Sequence, residues 1–375
     1  MDFDFTEDQQ SLRDAVQRWV EKGFGFERRH ALAKAGGATR AVYTELAELG
    51  LSGLAVPEAH GGLGQGPVEA MVVSEELGRG LVNAPYTAAA LMAPVLLSAA
   101  PSAVQAEWLP RMASGEALVV PALQERAARY RLNQVATRAT AQGDTWHLEG
   151  GKCVVPAGDE ANAWIVPARI SGAESDTQGI GLFIVQRSAG QITAYPTQDG
   201  ARAADLQLKG ADASLITQDG FALLQQAVDI GIAAQCAEAV GLMEKLVAIT
   251  VEYMNTRKQF GSTLASFQAL RHRIADVKMQ LELGRSMSYF ASLKLGDPPV
   301  QRRRAVSQAR VQLGQSMRYV GQQCIQLHGG IGCTDDYIAS HYFKRLTMLE
   351  LSLGDSLHHL GEVSALMQDT AGVFA

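Results

Sequence analysis

Apolar positions along the chain change their period twice. Leu12, Val16 and Val20 recur at every fourth residue and so line one face of a helix. Thr6, followed by Glu7 and Asp8, supplies an N-cap with acids in the first turn. The stretch Leu54-Ala-Val-Pro-Glu-Ala-His-Gly-Gly-Leu-Gly64 interrupts the helices as a loop. Helical periodicity resumes over 68–77, 88–98 and 102–112. Near residue 118 the period shortens. Thr145-Trp-His-Leu-Glu-Gly-Gly-Lys-Cys-Val-Val155 alternates and predicts a hairpin turning at Gly150-Gly151. Short strands are predicted over 163–170, 181–186, 191–196 and 204–208. From about Gly220 the helical period returns. Leu242, Leu246, Ile249 and Tyr253 form one stripe, and Leu270, Ile274, Val277 and Leu281 another. Gly296-Asp-Pro-Pro breaks the second helix, a third runs from Arg302 to Cys324, and Gly329-Gly330 stops it. A last helical stretch, from about Asp335 to Leu366, carries a break point at Gly354.

These changes of period predict an α+β chain of three domains: helical over 1–118, a β-sandwich or barrel over 119–220, and helical over 221–375. No helical crossover separates the predicted strands, which argues against a parallel nucleotide-binding sheet. Composition narrows the function classes. The 375 residues are 47% hydrophobic and 19% charged, as in a globular protein and not a disordered one. A net charge of −6 speaks against a nucleic-acid partner. The longest apolar run, around Tyr86–Ala100, is interrupted by Pro94 and falls short of the roughly 20 residues of a membrane span. Cys153, Cys236, Cys324 and Cys333 form no C-x-x-C pair and read as reduced thiols. With an acidic start at Met1–Asp4, unlike a signal peptide, the expected location is cytoplasmic. No metal is expected, since the histidines make no i, i+4 pairs with acids and His358-His359 point apart on a helix.

Two segments remain as candidate chemistry. Arg257-Lys-Gln-Phe-Gly261 follows a long amphipathic helix. It reads either as a solvated helix C-terminus or as a phosphate seat, an arginine fork beside open backbone N–H groups. Gln326-Leu-His-Gly-Gly-Ile-Gly332 reads either as a helix stop or as backbone laid against a flat ligand. In this order, with the helical–β–helical plan, they resemble the acyl-CoA dehydrogenase family of flavoproteins. The resemblance spans essentially the whole chain. It includes Phe5-Thr-Glu-Asp-Gln9, Glu48-Leu-Gly-Leu-Ser-Gly-Leu-Ala-Val-Pro-Glu58 with Gly61-Gly62-Leu-Gly64, and Ser74-Glu-Glu-Leu-Gly-Arg79. Gly143-Asp-Thr-Trp-His-Leu-Glu-Gly-Gly-Lys152 and Ala161-Asn-Ala-Trp-Ile-Val166 add the β segment.

The resemblance implies a C-terminal four-helix bundle, FAD, an acyl-CoA substrate and an electron-transfer flavoprotein as acceptor. It implies that a carboxylate removes the α-proton while the β-hydrogen leaves as hydride to the flavin. Lys344-Arg-Leu-Thr-Met-Leu-Glu350 aligns with the segment ending in the catalytic glutamate, so Glu350 is the expected base and Asp355 the alternative. The family's second base location corresponds to about Gly231, which has no carboxylate. Arg257 matches the arginine on the diphosphate of a neighbouring subunit's FAD, with Gln259, Phe260 and Gln268 in the same contact region. Gln326, His328, Gly329 and Gly330 match the loop on the adenosine-diphosphate half, again across an oligomer interface. Asp229 keeps its place on the first C-terminal helix as a substrate-side residue, while Ile232 replaces an arginine common in straight-chain enzymes.

The chain departs from the family where the flavin ring should be met. Typical members carry Thr/Ser-Glu-Pro-Gly-x-Gly-Ser after the first strand, where this chain has Leu123-Gln-Glu-Arg-Ala-Ala-Arg129. Typical members carry Trp-Ile-Thr/Ser after the hairpin lysine, where this chain has Val154-Val-Pro156. Two expectations stand. The chain is a homo-oligomeric dehydrogenase with an atypical ring pocket. Alternatively, it is one subunit of a heteromeric dehydrogenase that completes a paralogue's FAD site. Tyr342-Phe-Lys-Arg-Leu-Thr-Met-Leu-Glu-Leu-Ser-Leu-Gly-Asp355 resembles the smaller subunits of pimeloyl-CoA and steroid side-chain enzymes.

Overall fold

The computed structural model describes residues 5–143 and 145–371; the acidic start and Asp144 of the hairpin motif lie outside them. The first helical run comprises α1 (Glu7–Gly23), α2 (Phe26–Lys34), α3 (Arg40–Glu48), α4 (Pro67–Arg79), α5 (Ala93–Leu97) and α6 (Ser102–Ala113). Thr6 caps α1 as expected. Its hydroxyl accepts the Gln9 N–H at 3.2 Å, and Gln9 Oε1 accepts the Thr6 N–H at 3.0 Å, a closed capping box. Thr87–Met92, expected as plain helix, is wound as a π-helix ahead of α5.

The strands are β1 (Val119–Pro121), β2 (Arg138–Gln142), β3 (Thr145–Pro156), β4 (Ala163–Arg169), β5 (Ile180–Gln186), β6 (Gly190–Pro196) and β7 (Arg202–Thr217). β2 pairs with β3, β3 with β7, β7 with β5, β5 with β4, and β4 with β2. The ring of pairings closes, so the fold is a barrel, with β1 and β6 added at its margins. The expected turn at Gly150-Gly151 is absent, and the chain turns at Gly143 (φ +63°) instead. β3 runs straight through the two glycines, with register shifts at Leu148/Glu149 and Lys152/Val155. Gly150 is needed for closeness and not for a turn: a Cβ there would lie 2.6 Å from Thr137 Oγ1.

The helical period of the last third forms α7 (Phe221–Thr256), α8 (Gln268–Leu293), α9 (Pro299–His328), α10 (Ile338–Leu351) and α11 (Ser356–Ala371). A two-stranded hairpin of β8 (Lys258–Gln259) and β9 (Ser262–Thr263) joins α7 to α8. The order is thus helical, β, helical. By packing, the chain divides into two compact units, each assembled from separated segments. One comprises Met1–Arg29, Pro67–Val82 and Ile232–Ala375, the other His30–Gly66 and Asn83–Gly231. In the first unit, α9 packs against α8, α10 and α11. α4 lies flush on α7, because a side chain at Gly78 would land on Glu238 O and one at Gly241 on Glu75 O. In the second, the barrel core holds Trp164, Phe183, Leu148 and Leu206, all buried. Trp164 Nε1 donates to Gly158 O at 2.8 Å, which satisfies its one polar group.

Candidate functional site

The Arg257 segment and the Gln326 loop, 69 positions apart in sequence by their numbering, belong to the same unit. An aromatic stack connects their bases. His328 at the end of α9 lies 4.7 Å from the Tyr253 ring on α7 and 5.2 Å from the Tyr337 ring. His328 Nδ1 donates to Cys324 O at 2.8 Å. Burial lowers the His328 pKa, so the ring is neutral. Its Nε2 is buried without a hydrogen-bond partner among the described residues.

From that stack the expected cofactor residues face outward. Arg257, Gln259, Gln268, Gln326, Gly329 and Gly330 are exposed. Phe260 is 94% exposed at the tip of the β8–β9 hairpin, where it takes φ +53° beside Gly261 at +79°. A two-residue turn with both φ values positive normally selects Asn or Gly, so phenylalanine there stores strain in a side chain that packs little at home. Apart from each glycine and its chain neighbours, no described residue comes within 4 Å of where a Cβ would sit on Gly329 or Gly330, so that backbone is open. An arginine, amide side chains, an aromatic knob and bare backbone are a donor set that fits a nucleotide diphosphate and its flat base. His328 is the exception among the expected contacts, being buried beneath the loop.

The segment expected to meet the flavin ring does not fit one. Glu125 and Lys152 form a buried ion pair there, Nζ to Oε1 at 2.6 Å. Glu125 also accepts Thr137 Oγ1 at 2.7 Å, Thr137 N at 3.2 Å and Ala136 N at 2.8 Å. Burial works against its charge, but Lys152 and these donors outweigh it and hold the carboxyl below the usual range. Val154, at φ +55°, donates its N–H to Asp205 at 3.1 Å. Glu125, Lys152 and the Val154 N–H are thus bonded within the barrel.

Glu350 and Asp355 come together at the N-terminus of α11. Glu350, next to last in α10, is 8% exposed. Its Oε1 accepts Ser356 Oγ at 2.8 Å, Ser356 N at 3.2 Å and Arg318 Nη2 at 3.4 Å. Its Oε2 accepts no hydrogen bond from any described residue. Asp355 Oδ1 accepts the His358 N–H at 2.8 Å, as an N-cap does. One carboxylate is therefore anchored by one oxygen with the other free, while the second caps a helix. Asp229 is fully buried on α7.

Two arrangements escaped sequence reasoning. The Ser74–Arg79 motif builds an ion network: Arg285 bonds Glu75 and Glu244 at 3.0 Å, and Arg79 bonds Glu244 at 2.9 Å and Glu76 at 3.0 Å. Burial raises the Glu75 pKa, with Arg285, Arg13 and Arg79 opposing it. Arg310, in mid-α9, is fully buried. The one available signal was its place within the apolar stripe of Val306, Ala309 and Leu313.

Comparison with known proteins gives a consistent picture. Residues 6–116 match the model of the acyl-CoA dehydrogenase N-terminal domain, and residues 218–365 match that of the acyl-CoA dehydrogenase C-terminal domain. The chain is 26% identical to the acryloyl-CoA reductase (NADH) of Anaerotignum propionicum, over 96% of this chain and 94% of that protein. It is 27% identical to the probable acyl-CoA dehydrogenase YngJ of Bacillus subtilis, over 95% and 97%. Among solved structures, the ChsE4–ChsE5 complex from Mycobacterium tuberculosis is similar, with a TM-score of 0.89 and 25% identity. That match covers 99% of this chain and 100% of the other.

Proposed function

The chain belongs to the acyl-CoA dehydrogenase family of flavoprotein oxidoreductases, and from that premise we propose that it serves the α,β-dehydrogenation of an acyl-CoA thioester to the trans-2-enoyl-CoA. Glu350 takes the α-proton. The observation that carries this reading is the state of its carboxylate, with Oε1 tied to Ser356 and Arg318 and Oε2 free. A base anchored at one oxygen presents the other in a fixed direction, which is what proton abstraction requires. Asp355 is the weaker candidate, since its carboxylate already caps α11. A bound FAD supplies the acceptor for the β-hydride. The residues that would hold the diphosphate and adenosine of a neighbouring subunit's FAD, across an oligomer interface, are Arg257, Gln259, Phe260, Gln268, Gln326 and the Gly329-Gly330 backbone, with His328 supporting the loop from below. Asp229 stands on the substrate side, and an electron-transfer flavoprotein takes the electrons onward. The division of labour follows the chain at about 118 and 220. Among the described residues no helix is long and apolar enough to cross a membrane, and we place the reaction in the cytoplasm.

A second reading has its own observation. The Glu125–Lys152 pair closes the barrel segment that would meet a flavin ring, while the outward contacts remain. That combination suits one subunit of a heteromeric dehydrogenase, lending its exposed residues to a flavin held mainly by a paralogue. Purification decides between the two. If the chain alone shows the visible absorption band of bound flavin, it is self-sufficient. A colourless chain that turns yellow only when co-expressed with a paralogue establishes the heteromer.

A further inference from the structure

One face of α9 meets the chain reversal that follows Glu350. Ser307, Arg310, Gly314 and Arg318 recur at every third or fourth residue and so share that face. Arg310 is fully buried. Its Nε donates to Gly354 O at 3.1 Å, and its Nη2 donates to Ser352 O at 2.6 Å and to Leu349 O. The last carbonyls of a helix lack their i+4 partner. Here one guanidinium gathers Leu349 O, which also accepts the Ser352 N–H at 3.0 Å, with two carbonyls from just beyond α10. Ser307 Oγ donates to His359 Nδ1 at 3.2 Å, and His359 Nε2 donates to Leu353 O at 3.0 Å. Burial, with Arg310 and Arg303 nearby, pushes the His359 pKa down to about 3, so the ring is neutral and donates through one nitrogen. Gly314 leaves a gap, for a Cβ there would land on Ser356 Oγ, the group that donates to Glu350 Oε1. Arg318 reaches the same oxygen.

The reversal is strained as well as gripped. Leu353 takes φ +51°, which leucine disfavours. Gly354 takes φ +109°, and a side chain there would run into His359. Such backbone persists only where its surroundings over-determine it.

We infer that Arg310 is a positioning residue for Glu350: by holding the carbonyls of Leu349, Ser352 and Gly354 together, it fixes where α10 ends and hence where the carboxylate stands. The inference rests on Glu350 being the base. Lysine is no substitute at 310, because a single ammonium lacks the planar fork that spans three acceptors.

The test compares Arg310→Lys, Gly314→Ala and Glu350→Gln in the full chain, purified with its flavin-binding paralogue if it needs one. Amide hydrogen exchange over 349–358 is read first, and kcat, KM and the pH profile of acyl-CoA oxidation second. Arg310→Lys should raise exchange at 352–356 by about tenfold or more while leaving other segments protected. Its kcat should fall by about a hundredfold with KM nearly unchanged, the scale of a 1 Å misplacement. Gly314→Ala displaces Ser356 with Arg310 intact and should lower kcat likewise. If Arg310→Lys does not fold, Arg310→Gln, which keeps a neutral donor for one carbonyl only, is read in the same way and decides the question. Unchanged exchange at 352–356 in Arg310→Lys overturns the inference. So does a wild-type kcat and pH profile in both variants when Glu350→Gln is inactive. If Glu350→Gln is itself fully active, the base assignment fails, and exchange alone then decides whether Arg310 fixes the reversal.

Discussion

Replacing Lys152 by methionine removes an ammonium while nearly keeping the side chain's shape. The ammonium is completely buried and donates to Glu125 Oε1 at 2.6 Å. Without it, Glu125 keeps its charge in the barrel with three neutral donors, from Thr137 and Ala136. Breaking a buried pair from one side costs about 3–5 kcal/mol, because the other charge stays behind. The three surviving hydrogen bonds place Lys152→Met at the lower end, about 3 kcal/mol. At roughly 2–4 °C per kcal/mol for a large folded unit, the melting transition should fall by about 6–12 °C. Glu125→Gln strands the ammonium instead and should cost more, about 4–5 kcal/mol. The double variant should be more stable than the two losses combined, by about 1–3 kcal/mol of coupling. The pH dependence has a definite sign. Glu125 has a lowered pKa, so its contribution is full above the ordinary carboxylate value of 4.5 and fades as pH falls below it. The gap between wild type and Lys152→Met should therefore narrow below about pH 4. Thermal melts of the four proteins at pH 7 and at about pH 3 test this. A Lys152→Met transition within about 1 °C of wild type, or coupling near zero, would mean that the buried pair does not stabilise the barrel.

Gly241→Ala forces a methyl onto Glu75 O and should destabilise by about 1–3 kcal/mol or prevent folding, read as lost soluble yield or a lower melting temperature. Trp164→Phe leaves Gly158 O without its donor and should cost about 1–3 kcal/mol in a denaturant titration. Phe260→Ala removes a side chain that is 94% exposed, so the isolated chain should melt as wild type does. The same variant should weaken flavin retention in the assembled protein, measured as flavin released on dilution.

Much of the helical layout was legible because amphipathic helices write their period into neighbouring residues. The Leu242–Tyr253 and Leu270–Leu281 stripes predict α7 and α8 directly. The barrel was less so. Its closure depends on β4 pairing with both β2 and β5, long-range registers that local alternation does not encode. Gly150-Gly151 illustrates the ambiguity. Two glycines mark either a turn or a close approach, and Thr137, just ahead of the paired strand β2, makes it the second. The outward residues Arg257, Phe260 and Gln326 were legible through their motifs. Lys152 and Arg310 were not, since a polar residue in a pattern reads as exposed, and only the fold shows its burial.

The most direct measurement follows the flavin's visible band when an acyl-CoA ester is added to the yellow protein, alone or with its paralogue, comparing wild type with Glu350→Gln. Wild type should bleach and form the 2-enoyl-CoA. Glu350→Gln should stay yellow, with bleaching slowed by at least about a hundredfold, because the α-proton has no acceptor. Bleaching of Glu350→Gln at the wild-type rate would mean that Glu350 is not the base and that a group elsewhere takes the α-proton.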